Sequence, residues 1–275
     1  MGRTLGPAMS LAGKLRGRFW RHAGPLLERG FAPKLRRDDG APALLLSPHL
    51  DDAVIDCWSV LTAPGELNVV NVFAGVPPAG RTTHWDRIVG ASDSAELMRA
   101  RIEEDRAALE QAGRAPLNLD FLEHQQREDA RPPPLAAMDD AITRVVPAAS
   151  RVYAPAVLGT QHPDHVRVHA YARACAAAGI PAELYADLPY AVVYGWPHWV
   201  TGEPRNPHLD IDAYWGGQPA DDPRVVHLDD AQGDAKLAAM RAYATQFPSL
   251  DRGPIGLLSN PKVHRFEIFW PCGSS

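Results

Sequence analysis

The stretch Ala43-Leu44-Leu45-Leu46-Ser47-Pro48-His49-Leu50-Asp51-Asp52 constrains this chain more than any other. Its aliphatic run predicts a strand buried on both faces, as in a parallel sheet, and Pro48 stops the ladder because it has no N–H to donate. Three polar side chains follow at once. Ligands of open α/β sheets bind in the crevice beyond the carboxyl ends of the strands, so His49, Asp51 and Asp52 are expected where chemistry takes place. His49 and Asp52, separated by a strand-to-helix turn, can converge on one cation and leave Asp51 free to act as a base. The plainer alternative is a turn in which an Asp caps a helix that starts near Ala53.

A second stretch, Gln161-His162-Pro163-Asp164-His165, follows another strand-like run, Arg151-Val152-Tyr153-Ala154. A catalytic zinc takes three protein ligands and keeps a fourth position open for water. His49 and Asp52 supply two, and His165 is the natural third. His169 lies on the same helical face as His165 but a full turn deeper, about 5.4 Å farther from the strand ends, so it is expected to be a supporting or core histidine.

Together these two stretches resemble the signature of the PIG-L/LmbE-like zinc-dependent N-deacetylase family, which reads P-H-P-D-D-E and then H-P-D-H. The second motif is complete, and the first departs at Leu50 and Ala53. The resemblance covers residues 43–180 and 234–248, where Lys236 to Gln246 is similar to the K-x-x-A…T/S-Q helix of the family. It implies Zn²⁺ on His49, Asp52 and His165, with Asp51 activating the metal-bound water. It further implies that His162, oriented by Asp164, donates to the oxyanion, and that Arg101 of an R-x-x-E segment reaches toward a substrate sugar. A solvated ion pair within the helix is the plain alternative for Arg101. Many relatives place an aromatic residue just before H-P-D-H, whereas this chain has Gly159-Thr160-Gln161. The implied reaction is hydrolysis of an N-acetyl or other N-acyl group on a small-molecule amino sugar or glycoconjugate. Two other readings compete: a metal-free Rossmann-like binding module without catalysis, and a hydrolase of a non-sugar amide. An Fe(II) oxygenase built on the same ligands would leave Asp51 without a role.

Further strands are expected over Leu67–Phe73, Leu117–Leu122, Arg151–Ala156 and Ala182–Ala186, with helices over Val54–Leu61, Asp93–Gly113, Leu135–Val146 and His162–Ala178. That alternation is the sign of right-handed βαβ units, hence a Rossmann-like α/β fold with a mostly parallel sheet flanked by helices. A helix over Gly233–Phe247 and an edge strand over Phe266–Trp270 are expected to add a C-terminal antiparallel elaboration. Glu123, His124, Gln125 and Arg127 should rim the crevice. The polar Gly75–Ser92 loop, which contains Trp85, and the aromatic-rich segment 187–217 are expected to form opposite walls of the pocket.

With 275 residues and 45% hydrophobic content, the chain can bury one sizeable core, read as a single domain over 41–275 after a basic arm over 1–40. Residues 1–37 carry +8, leaving -13 for the rest, and such an acidic body argues against a nucleic-acid partner. The arm has a loose amphipathic pattern and no secretory signal. No apolar run approaches ~18 residues, so no transmembrane segment is expected. The 3 cysteines are odd in number and far apart, which fits a reducing cytoplasm. Abundant Ala, Pro and Arg read as the codon bias of a GC-rich bacterium. The pattern is silent on oligomeric state.

Overall fold

The computed structural model describes residues 30–128, 131–157, 162–193, 223–252 and 256–273. The basic arm up to residue 29, the Gly159-Thr160-Gln161 segment and the aromatic-rich stretch from 194 onward lie outside the described residues. The sheets and helices belong to the compact unit Pro33–Ser275. Its strands are β1 (Arg36–Arg37), β2 (Ala43–Ser47), β3 (Leu67–Asn71), β4 (Pro116–Asn118), β5 (Ala148–Ala149), β6 (Val152–Ala156), β7 (Ala182–Ala186), β8 (Arg224–His227) and β9 (Phe266–Pro271). Its helices are α1 (Asp52–Asp56), α2 (Trp58–Leu61), α3 (His84–Val89), α4 (Ser94–Glu110), α5 (Leu135–Val145), α6 (Pro163–Ala177), α7 (Tyr190–Val193), α8 (Asp230–Arg241), α9 (Phe247–Leu250) and α10 (Pro261–His264).

The main sheet has seven strands in the order β4-β3-β2-β6-β7-β9-β8. Its first five are parallel, and β9 runs antiparallel to both β7 and β8. The fold is therefore α/β, mostly parallel, with an antiparallel C-terminal addition. Leu44, Leu45 and Leu46 have no solvent exposure, as a strand covered on both faces requires. From β2 the chain winds outward through β3 and β4, then returns to the other side of β2 at β6. The strand order reverses between β2 and β6. A crevice opens at such a switch point, beyond the carboxyl ends of the two strands.

Several boundaries differ from the sequence expectation, each for a physical reason. The expected helix over Val54–Leu61 is split into α1 and α2 at Cys57 (φ -133, ψ 33). There the Glu267 carboxylate accepts the Trp58 N–H at 2.7 Å and the Ser59 N–H at 2.9 Å, so a side chain from β9 caps α2. β9 itself is not an edge strand, because it sits between β7 and β8, and Glu267 through Trp270 are all buried. Inside the expected polar loop, Thr83 and Asp86 form a capping box and start α3, which Gly90 ends at φ 82. α8 starts early because Asp229 and Gln232 form another capping box. Cys57 and Cys175 are buried free thiols, and Cys272 is also free. Among the described residues no helix is long and apolar enough to cross a membrane.

The C-terminal helix resembling the family's K-x-x-A…T/S-Q helix is tied to the body through buried polar contacts. Lys236 Nζ donates to Glu267 at 2.8 Å, with both side chains fully buried. Glu104 accepts from the Thr245 N–H at 2.9 Å and its hydroxyl at 2.7 Å, and Trp85 Nε1 donates to Gln246 at 2.7 Å. Asp105 accepts from the Tyr243 hydroxyl at 2.7 Å and from Asn71 Nδ2 at 2.6 Å.

Burial pushes the Asp105 carboxyl up to about 7, against the pull of those two hydrogen bonds. An acid whose folded pKa is raised binds its proton more tightly in the native state, so its favourable contribution is complete below the unfolded value near ~3.9 and is lost as pH rises through about 7. Unfolding free energy should fall by roughly 2–4 kcal/mol from this group between pH 4 and 7, and Asp105→Asn should flatten that slope. Urea titrations of both proteins across this window provide the check, and equal slopes would contradict it.

Candidate active site

The turn after β2 presents its carboxylates through backbone and hydroxyl contacts. Ser47 Oγ donates to the His49 carbonyl at 2.6 Å and accepts the Ala53 N–H at 3.1 Å, so the serine satisfies the start of α1. Asp51 occupies the cap position but makes no side-chain capping bond. Its carboxyl accepts no hydrogen bond from any described residue. The Asp52 carboxylate is turned back, with Oδ2 accepting the His49 N–H at 2.8 Å. The alternative of a simple Asp cap is thereby removed.

His165 comes in from the first turn of α6, where Pro163 fits because the N–H it lacks would have no helical partner. Its Nε2 lies 3.1 Å from His49 Nδ1 and 3.7 Å from Asp52 Oδ2, and His49 Nδ1 lies 3.6 Å from the same oxygen. These three atoms form a small triangle. The outer nitrogens are held by carboxylates: Asp187 Oδ2 is 2.7 Å from His165 Nδ1, and Asp164 Oδ2 is 3.2 Å from His49 Nε2. Protons placed on those outer nitrogens leave two ring lone pairs facing each other.

Such a set of donors can hold a cation. Burial works against charge on His165, yet Asp187 and Asp52 raise its pKa to about 9. On His49 burial also works downward, and the Asp164 hydrogen bond with Glu123 and Asp52 carries it above its ordinary value. Donors about 2.0–2.2 Å from a tetrahedral ion sit about 3.4 Å apart, close to the separations found. The donor set, two imidazoles and a carboxylate with carboxylates behind the rings, suits zinc.

Asp51 lies beside this triangle with little exposure. Burial, then the Asp52 charge, pushes its carboxyl up to about 6, while Arg101 pulls the other way. Arg101 is buried and pairs with Glu123 at 2.5 Å, so the solvated pair within its own helix is not formed. His162 stands edge-on to His49, His165 and His124, with ring centroids 4.8, 4.9 and 4.5 Å away. Burial, then His49 and His165, holds its pKa well below the ordinary range. Asp164 is fully buried; burial would raise its pKa, but the His49 hydrogen bond and the charges of His49 and Arg127 hold it well below the carboxylate range. Its other contacts are the His124 N–H at 2.9 Å and the Arg127 guanidinium at 2.7 Å. His169 faces away, with Nδ1 2.9 Å from the Pro155 carbonyl.

The structure therefore gathers His49, Asp51, Asp52, Arg101, His162, Asp164 and His165 around one crevice. Glu123, His124 and Arg127 rim it, as their place after the third strand suggested. Of the two expected walls, Trp85 is fixed to Gln246, and Tyr190 stands 5.6 Å from the His165 ring. Asp187 was missed. Its one sequence signal is its position directly after β7, at the carboxyl end of a parallel strand.

Solved structures similar to this chain include a triple mutant of a deacetylase from the teicoplanin biosynthetic pathway. It is 25% identical, with 84% of this chain and 97% of that chain covered and a TM-score of 0.62. The A40926 pseudoaglycone deacetylase Dbv21 is 26% identical, with coverage of 84% and 96% and a TM-score of 0.61. The zinc inhibited form of teicoplanin deacetylase Orf2, at 22% identity, 84% and 97% coverage and a TM-score of 0.63, is alike in fold. No curated protein matches the chain. The resemblance read from the two motifs holds: residues 44–176, which run from β2 through His165 into α6, match the PIG-L family, described as GlcNAc-PI de-N-acetylase.

Proposed function

We propose that this chain is a zinc-dependent hydrolase that removes an N-acetyl or other N-acyl group from an amino sugar or glycoconjugate, with the chemistry carried by residues 41–275. The observation that supports it most is the triangle of His49 Nδ1, Asp52 Oδ2 and His165 Nε2, 3.1 to 3.7 Å apart, with the unengaged Asp51 carboxyl beside it. The family described as a de-N-acetylase and the two deacetylases at 25% and 26% identity agree with that reading.

His49, Asp52 and His165 would hold the ion. Zinc so held polarises an acyl carbonyl and lowers the pKa of water toward ~7. Asp51, with its carboxyl raised to about 6, accepts a proton from the attacking water and passes it to the departing amine. Water's oxygen bonds to the acyl carbon, the C–N bond breaks, and a carboxylate and an amine leave. His162 is kept neutral, so it offers an N–H to the developing oxyanion, with the Asp164 carboxylate near it. Arg101, held by Glu123, keeps a fixed positive charge beside Asp51 for substrate hydroxyls. Asp187 sets the direction of the His165 ring and so serves as a positioning residue.

The test is acetate release by the zinc-loaded protein from a panel of N-acetylated amino sugars and N-acetylated non-sugar amides. Release from a sugar, lost on chelation and restored by zinc, is the expected result. Binding without release would favour the silent binding module, and release from the non-sugar amides alone would overturn the sugar assignment.

A further inference from the structure

Next to the candidate centre stands a second group of ligand-type side chains. His124, His162 and Asp164 each offer one donor atom, all within 4.8 Å of one another. His124 is anchored by its backbone, whose N–H donates to Asp164 Oδ2 at 2.9 Å, and its ring Nδ1 lies 3.8 Å from the same oxygen. The ring is edge-on to His162 with centroids 4.5 Å apart. That Nδ1 is buried and has no hydrogen-bond partner among the described residues. A buried polar atom left in this state is destabilising unless something outside the chain satisfies it.

We propose that His124, His162 and Asp164 form a second site for a borderline transition-metal ion such as zinc, filled only after the His49–Asp52–His165 centre. Two imidazoles and a carboxylate are the donors such ions take. Two features make the site the weaker one. The Arg127 guanidinium, 2.7 Å from Asp164 Oδ1, opposes a second positive charge. The His124 side chain is 29% exposed, against 11% for His49 and 2% for His165, which gives the ion a path from solvent but less shielding once bound. Occupation would engage His162. Excess zinc should then inhibit turnover, a consequence that rests on the donor role given to His162 under the proposed function.

The experiment is a zinc titration of the full chain by competition with a chromophoric chelator, for wild type, His124→Phe and Asp52→Ala. Phe keeps the aromatic edge against His162, and the backbone bond to Asp164 is untouched; His124→Ala serves as a second variant should Phe perturb folding. Wild type should bind a tight zinc and a second one at least about tenfold weaker. The His124 variants should keep only the tight ion, and Asp52→Ala only the weak one. Inhibition by zinc added beyond one equivalent should disappear in the His124 variants. A single zinc in wild type, or a second zinc retained by both His124 variants, would overturn the proposal. A tight zinc that survives in Asp52→Ala would instead count against the first centre, so the two failures are distinguishable.

Discussion

Asp51→Asn is expected to lower kcat by about 10²–10⁴-fold while zinc stays bound, whereas Asp52→Ala is expected to release the ion and with it all turnover. The two carboxylates are adjacent in sequence but differ in engagement. Asp52 Oδ2 is fixed by the His49 N–H at 2.8 Å and lies within 3.7 Å of both ring nitrogens, while the Asp51 carboxyl accepts no hydrogen bond from a described residue. An amide at position 51 cannot take a proton from water, yet it leaves the three donors untouched. Loss of the ion should also lower Tm more in Asp52→Ala, because a ligand bound only to the native state stabilises it by mass action. Zinc content, steady-state kinetics and thermal melts on both variants make the comparison. Zinc lost from Asp51→Asn and kept by Asp52→Ala would exchange the two roles.

Glu267→Ala is expected to cost about 3–5 kcal/mol of stability, the largest loss foreseen away from the crevice. The carboxylate is buried and pairs with the fully buried Lys236 at 2.8 Å. It also accepts the Trp58 and Ser59 N–H groups and the Ser59 hydroxyl at 2.5 Å. Its removal leaves an ammonium without an acid in the core and two helix N–H groups without a cap. Lys236→Met should cost less, since the carboxylate retains its three other donors. Urea midpoints at constant m-value measure both, and a Glu267→Ala cost below about 1 kcal/mol would show that the pair is relaxed by solvent.

Much of this fold was legible because β2 is a short aliphatic run that ends at a Pro and a polar cluster, the pattern of a strand covered on both faces. The metal-type donors were legible for a related reason: His49, Asp52 and His165 sit at two strand ends that the topology makes neighbours. The strand order, and with it the switch point between β2 and β6, was not legible, because an alternation of strands and helices does not fix which strands are neighbours. Asp187 was not legible, since a lone aspartate after a strand has no spacing relation to His165, and only tertiary packing puts it 2.7 Å from the ring. Arg101 shows the same limit. Sequence offered it a partner one turn away, yet burial forced a pairing with Glu123, 22 residues on, while Glu104 was taken by Thr245. The β9 strand was misplaced at the sheet edge because order within an antiparallel addition leaves no mark on hydrophobic periodicity. A Glu in the strand pointed the same wrong way, since charged residues are a usual feature of edge strands, and only packing shows Glu267 buried against Lys236.

Anomalous diffraction at the zinc edge, from crystals grown with one equivalent of zinc, locates the ion without reference to activity. One peak is predicted, about 2.0–2.2 Å from His49 Nδ1, Asp52 Oδ2 and His165 Nε2, with Asp51 outside bonding distance. A peak bonded to Asp51 in place of Asp52, or no peak at this crevice in zinc-loaded protein, would contradict it.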